Sequence, residues 1–85
     1  MGENRLFIGN LSWDTTDDSL RDAFSHHGVV TDAKVIMDRY NGRSRGFGFV
    51  TYQTPEQANV AKEQMHGANV DGREVRVESA SSSRN

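Results

Sequence analysis

The chain is 85 residues long with a net charge of -2, 34% hydrophobic residues and 26% charged residues, and it contains no cysteine. That length allows one small domain with a compact core. The composition excludes a disulfide framework, and no run approaches the ~18 apolar residues that a membrane-spanning helix needs.

Residues 5–11, RLFIGNL, read as a strand, with Leu6 and Ile8 on one face and Phe7 on the other. SWDTT closes on a helix cap, where Thr16 or Thr15 can accept the first free amide hydrogens. Asp17 and Asp18 suit the positive end of the helix dipole. Leu20, Ala23 and Phe24 form an apolar stripe, so 17–27 is predicted helical, with Gly28 ending it. VTDAKVIMD, 30–38, is a second strand, with Val35 and Met37 facing one way and Lys34 and Ile36 the other. RYNGRS is a loop with an Asn-Gly turn signal.

GFGFVTYQ is the third strand. Val50 and Tyr52 face the core, and Phe47 and Phe49 face the opposite way. Gly48 lies between the two rings on the core side, where a helix is expected to pack close. Gly46 is read as giving flexibility at the strand entrance. Thr54-Pro55-Glu56-Gln57 starts a second helix, with Thr54 as cap, Pro55 in the first turn and Gln57 at the capping-box position. Gly67 stops that helix. Asn69-Val70-Asp71-Gly72 is a turn, and REVRVES is the last strand, with Val75 and Val77 inward and Arg76 and Glu78 outward. The final residues have linker composition. The expected organisation is an N-terminal extension over 1–4, a domain over 5–79 and a flexible tail over 80–85.

The order β-α-β-β-α-β is the split βαβ arrangement, an α+β, ferredoxin-like sandwich. Its four-stranded antiparallel sheet carries both helices on one face and leaves the other bare. The first and third strands are central neighbours, so Phe7, Phe47 and Phe49 converge on the open face. Exposed aromatic rings at that spacing suit stacking of unpaired bases. Arg45, on the same face as Phe47, is placed for a phosphate or a base edge. Charge is distributed in the same sense. Arg5, Lys34, Arg39, Arg43, Arg45, Arg73, Arg76 and Arg84 lie outside the helices, while Asp17, Asp18, Asp22, Glu56 and Glu63 lie on them.

LFIGNL (6–11) resembles the RNP2 hexamer of RNA recognition motifs, and RGFGFVTY (45–52) matches the RNP1 octamer at every specified position. The resemblance covers about residues 5–79 and is nearest to glycine-rich or cold-inducible RNA-binding proteins, with chloroplast and hnRNP-type domains close behind. It implies that Phe7 and Phe49 each stack on a base, that Phe47 lies against the sugars, and that Arg45 pairs with phosphate. It implies binding of single-stranded RNA, in RNA processing, stability or chaperoning.

Other residues carry two readings. Lys34, Ile36, Arg76 and Glu78 are either solvated strand residues or base-edge contacts. Arg39, Tyr40, Asn41 and Arg43 are either a solvated loop or RNA contacts. Trp13 is read first as closing the core rim and second as stacking on RNA from its loop. His26, His27 and His66 lack companions at ligand spacing, so no metal is expected, and neither is a cofactor. Asn10-Leu11-Ser12 matches a glycosylation sequon by chance.

A protein-interaction module on the same fold is a rival reading, but such variants lose the stacking aromatics. An enzyme is a second rival. No nucleophile–base pair or convergent acid–base set is visible, so catalytic residues are not expected. Single-stranded DNA is expected to bind too, because stacking does not read the 2′-hydroxyl. The domain is expected to be monomeric and free of membranes. The polar start MGENRLF suggests no secretory leader, and the absence of cysteine fits a reducing intracellular compartment. Nucleus, cytoplasm or, in a plant, chloroplast are the settings expected.

Overall fold

The computed structural model describes residues 4–40, 42 and 44–80, and only the backbone of Ser44 and Arg45. Strand alternation and two capped helices set the architecture. The elements are β1 (Arg5–Gly9), α1 (Asp17–Phe24) continued by a 3-10 turn (Ser25–His27), β2 (Val30–Met37), β3 (Ser44–Tyr52), α2 (Pro55–Met65), β4 (Asn69–Val70), β5 (Arg73–Glu74) and β6 (Arg76–Ser79). The main sheet has the order β2-β3-β1-β6, and every pairing in it is antiparallel. β4 and β5 form a separate small hairpin. This is the α+β, ferredoxin-like arrangement expected from the sequence.

Thr16 caps α1: its side chain accepts from Ser19 N–H, and the Ser19 hydroxyl accepts from Thr16 N–H. Asp17 and Asp18 occupy the first turn. Thr54 caps α2 through Gln57 N–H. The Gln57 side chain does not complete the expected capping box. Its Oε1 accepts instead from Val29 N–H, tying the helix to the start of β2.

Both helices lie on the same side of the sheet. Leu20 and Phe24 of α1 and Ala58, Ala61 and Met65 of α2 pack with Leu6, Ile8, Val35, Val50, Tyr52 and Val77 into one buried cluster. Tyr52 is fully buried, and its hydroxyl donates to the Phe24 carbonyl at 2.7 Å. Burial pushes the Tyr52 phenol's pKa up. Because the folded state holds that proton more tightly, the stabilisation is complete below the ordinary tyrosine pKa of about 10 and is lost as pH rises above it. Tyr52→Phe leaves the Phe24 carbonyl without that donor in the core. It is expected to lower stability by about 1–2 kcal/mol in chemical denaturation, with the shape of the core kept.

The structure corrects several local expectations. Gly28 has extended backbone angles rather than a left-handed cap conformation. A side chain there would crowd Gln57 Cβ at 2.8 Å and Tyr52 Cδ2 at 3.1 Å. Met37 does not join Val35 on the core face: it is 54% exposed. The β2–β3 register shifts between Val35 and Met37, where β3 carries extra residues, and this breaks the alternation. Gly46 lies in that bulge with φ +85, so it supplies a left-handed backbone rather than flexibility. The expected last strand is interrupted at buried Val75, whose N–H donates to the Ala68 carbonyl. Asp71 and Gly72, with φ 52 and 88, make the two-residue turn between β4 and β5.

Asn4 and Ala80 also take part in the fold. Tyr52 N–H donates to the Asn4 carbonyl, and Ala80 N–H donates to the Arg5 carbonyl with Ala80 itself buried. Asn41, Arg43, Arg84 and the rest of the expected tail, 81–85, lie outside the described residues.

Candidate nucleic-acid interface

β1 and β3 lie side by side at the centre of the sheet, with Phe7 directly opposite Phe49 and Gly9 opposite Phe47. Alternation turns Leu6, Ile8, Gly48, Val50 and Tyr52 to the helix side and leaves the three phenylalanines half-buried on the other. Ring centroids are 5.7 Å apart for Phe7–Phe47, 5.9 Å for Phe7–Phe49 and 6.4 Å for Phe47–Phe49. These are contact distances for aromatic pairs, so each ring supports its neighbours. The platform expected from the sequence is present, and neither helix covers it.

Two glycines shape it. Gly48 was expected to make room for a helix. The neighbour is instead the backbone of β2, since a methyl group at Gly48 would overlap the Lys34 carbonyl oxygen. Gly9 lies beneath the edge of the Phe7 ring, and a side chain there would meet Phe7 Cε1 at 3.1 Å. Its bareness leaves a recess of about 480 Å³ lined by Phe7, Gly9, Asn10, Gly46, Phe47, Arg76 and Glu78.

The flanking strands supply charge. Lys34 is exposed on β2 in register with Phe49. Glu78 is opposite Phe7, and Arg76 is opposite Gly9. The Arg76 guanidinium donates to the Glu78 carboxylate at 3.3 Å, so the two outward residues of β6 form a pair beside the recess. Ile36 is half-buried next to the β2–β3 bulge. Arg45 sits on β3, which fixes its place in the strand, but its side chain lies outside the description.

Trp13 is 63% exposed, which overturns its reading as a residue that closes the core rim. Instead it borders a cleft against β2. Arg5 was not singled out, yet its guanidinium carbon sits 4.5 Å from the Phe49 ring centroid. A cation over an aromatic face is attracted by the ring quadrupole. Strand alternation was the available signal, because Arg5 is two residues before Phe7 and so shares its face. Asn10 has a structural task. Its amide donates to the Glu74 carbonyl and accepts from Arg73, holding the end of β1 to the small hairpin.

On the helices, Asp18, Asp22, Glu56 and Glu63 are exposed, with Arg21 and Lys62 among them, while Asp17 at the start of α1 accepts from Val35 N–H at the β2 edge. Acidic side chains outnumber basic ones on the helical face, whereas Arg5, Lys34 and Arg76 flank the aromatic rings.

The sequence profile of the RNA recognition motif matches residues 6–76. The chain is 57% identical over 76 residues to glycine-rich RNA-binding protein 2, mitochondrial, of Arabidopsis thaliana, covering 89% of this chain and 48% of that protein. It is 51% identical over 77 residues to the 29 kDa ribonucleoprotein B, chloroplastic, of Nicotiana sylvestris, covering 91% of this chain and 26% of that protein. Its fold superimposes on an SXL-lethal protein/RNA complex with a TM-score of 0.85 at 29% identity, covering 91% of this chain and 47% of that one. The chain thus spans less than half the length of each of these proteins. With the profile match over most of its length and both signature strands in place, the chain belongs to the RNA recognition motif family.

Proposed function

We propose that the domain binds RNA by stacking one base on Phe7 and one on Phe49, with Phe47 against the sugar between them. The observation that carries this reading is the contact of three half-exposed rings on the helix-free face. A base on Phe49 shares that ring with Arg5 or displaces it toward a phosphate. Lys34, Arg43, Arg45 and Arg76 supply the remaining cations. Glu78 and Arg76 present an acceptor and a donor beside the recess, the pair of functions needed to read a base edge. Ile36 adds apolar surface at the β2 side, and Trp13 adds a ring beyond it.

The domain works by binding alone, as a monomer, and spans two to four nucleotides. Single-stranded DNA binds as well, since stacking is indifferent to the sugar. The mitochondrial and chloroplastic relatives favour an organellar setting, with a role in RNA processing, stability or chaperoning. A nuclear setting has no support from them.

Two or three stacked bases and a few charge contacts correspond to an affinity on the order of micromolar. Each neutralised phosphate contributes about 0.7 to the salt slope, so a slope of roughly 2 is expected. Fluorescence titration with a short unstructured RNA at several salt concentrations checks both values. No saturable binding, or binding equally tight to a duplex of the same sequence, would refute the stacking mode.

A further inference from the structure

We infer that His66 is a positioning residue for RNA binding: its neutral ring holds the edge strand β6, and so sets Arg76 and Glu78 at the recess, while the protonated ring releases them. This rests on the reading of Arg76 and Glu78 as base-edge contacts and extends it to a residue beyond the strand that carries them.

β6 is the outermost strand on its side of the sheet and is only four residues long. Its inner flank pairs with β1. On the outer flank the Val77 N–H donates to His66 Nδ1 at 3.1 Å. Val77 is 2% exposed, so its amide loses heavily if that acceptor is withdrawn.

The turn after α2 delivers the ring to this place. His66 N–H donates to the Lys62 carbonyl and ends the helix. The next two residues are stitched to the break before β6: Gly67 N–H donates to the Val75 carbonyl, and Val75 N–H donates to the Ala68 carbonyl. Arg76 and Glu78 flank Val77 in sequence. Alternation turns both to the aromatic face, opposite Gly9 and Phe7. A shift of Val77 away from His66 therefore shifts both members of the pair.

Nδ1 accepts only in the neutral imidazole, because both nitrogens of the protonated ring are donors. The residue is exposed, so protons reach it. The charged groups around it are Lys62 and Glu63 one turn back on α2, and Glu74 on β5, whose carboxylate lies 4.0 Å from the Cβ position at Gly67. β1 turns Leu6 and Ile8 toward the helices, and β3 turns Val50 and Tyr52, whose hydroxyl is taken up by the Phe24 carbonyl. Acid thus has two opposed effects. Positive charge gained by histidines favours a polyanion, whereas release of β6 weakens the base-edge contacts.

The test is a titration with a labelled short unstructured RNA at constant ionic strength, at about pH 7.5 and about pH 5.5, on either side of the ordinary histidine range. His66→Asn puts an amide oxygen where Nδ1 stood, an acceptor that does not titrate. It is expected to match the wild type at the higher pH and to bind about threefold more tightly than the wild type at the lower, the share expected of one hydrogen bond. His66→Leu is expected to bind about threefold more weakly than the wild type at the higher pH. In an Arg76→Ala/Glu78→Ala background, which itself binds more weakly, His66→Leu is expected to cost nothing further. If that background binds as the wild type does, the base-edge reading falls and the role of His66 with it. If the background is weakened but the wild type and His66→Asn agree at both pH values, the pair stands and His66 does not position it. A loss from His66→Leu that persists in the background has the same meaning. Should His66→Leu fail to fold, the comparison with His66→Asn still decides.

Discussion

Phe49→Ala is expected to lower affinity for single-stranded RNA by roughly 10- to 100-fold while the domain stays folded. Loss of one stacked base accounts for about 1–3 kcal/mol. The ring sits at the meeting point of the interface, in contact with Phe7 and Phe47, under Arg5 and across from Lys34. Truncation therefore also removes the support that fixes the neighbouring rings. The stability cost is small by comparison, about 0.5–1.5 kcal/mol for lost ring–ring contacts, because the side chain is outside the helix-side core. Titration and thermal melting of the same sample separate the two effects. An unfolded variant would mean that Phe49 belongs to the core and that the faces of β3 have been assigned the wrong way round.

The opposite pattern is expected for Gly48→Ala, one residue away. Gly48 pairs with Ile8 on one side and Val35 on the other. A Cβ there would overlap the Lys34 carbonyl oxygen and come within 3.1 Å of Val35 Cα. Both atoms are backbone, so no side chain can swing aside, and β2 must move. The expected loss is about 2–3 kcal/mol, which lowers the melting temperature by roughly 10–20 °C for a domain of this size. Binding weakens as a consequence, because Lys34 and Phe49 are held in register by the same strand pair. Unaltered melting would show that β2 and β3 are not so closely apposed.

These two neighbours illustrate how much of the protein is legible in its residues. Alternation in RGFGFVTY was enough to put Phe47 and Phe49 on one face and Val50 and Tyr52 on the other, and β-α-β-β-α-β order was enough to bring Phe7 beside them. Thr16 and Thr54 could be recognised as caps because their partners are local in sequence. The misread features depend on non-local backbone. Strict alternation put Met37 on the same face as Val35, but a bulge in the facing strand breaks the period. The glycines at 46 and 48 were recognisable as special, yet the reason for each needs the partner strand: a positive φ at one, a neighbouring carbonyl at the other. Gln57 reaches Val29, 28 residues away, instead of its own cap. Trp13 was assigned to the core rim on the ordinary tendency of a large ring to be buried. The buried Ser12 and Thr15 beside it, which turn it outward, give no such signal in sequence.

The most direct test of base stacking on the sheet is to follow the side-chain ring resonances of Phe7, Phe47 and Phe49 by NMR during titration with a short single-stranded RNA. The expected result is large, saturable shifts of these rings and of the β1 and β3 amides, with the amides of α1 and α2 unmoved. Shifts concentrated on the helices, with the three rings unchanged at saturation, would contradict it.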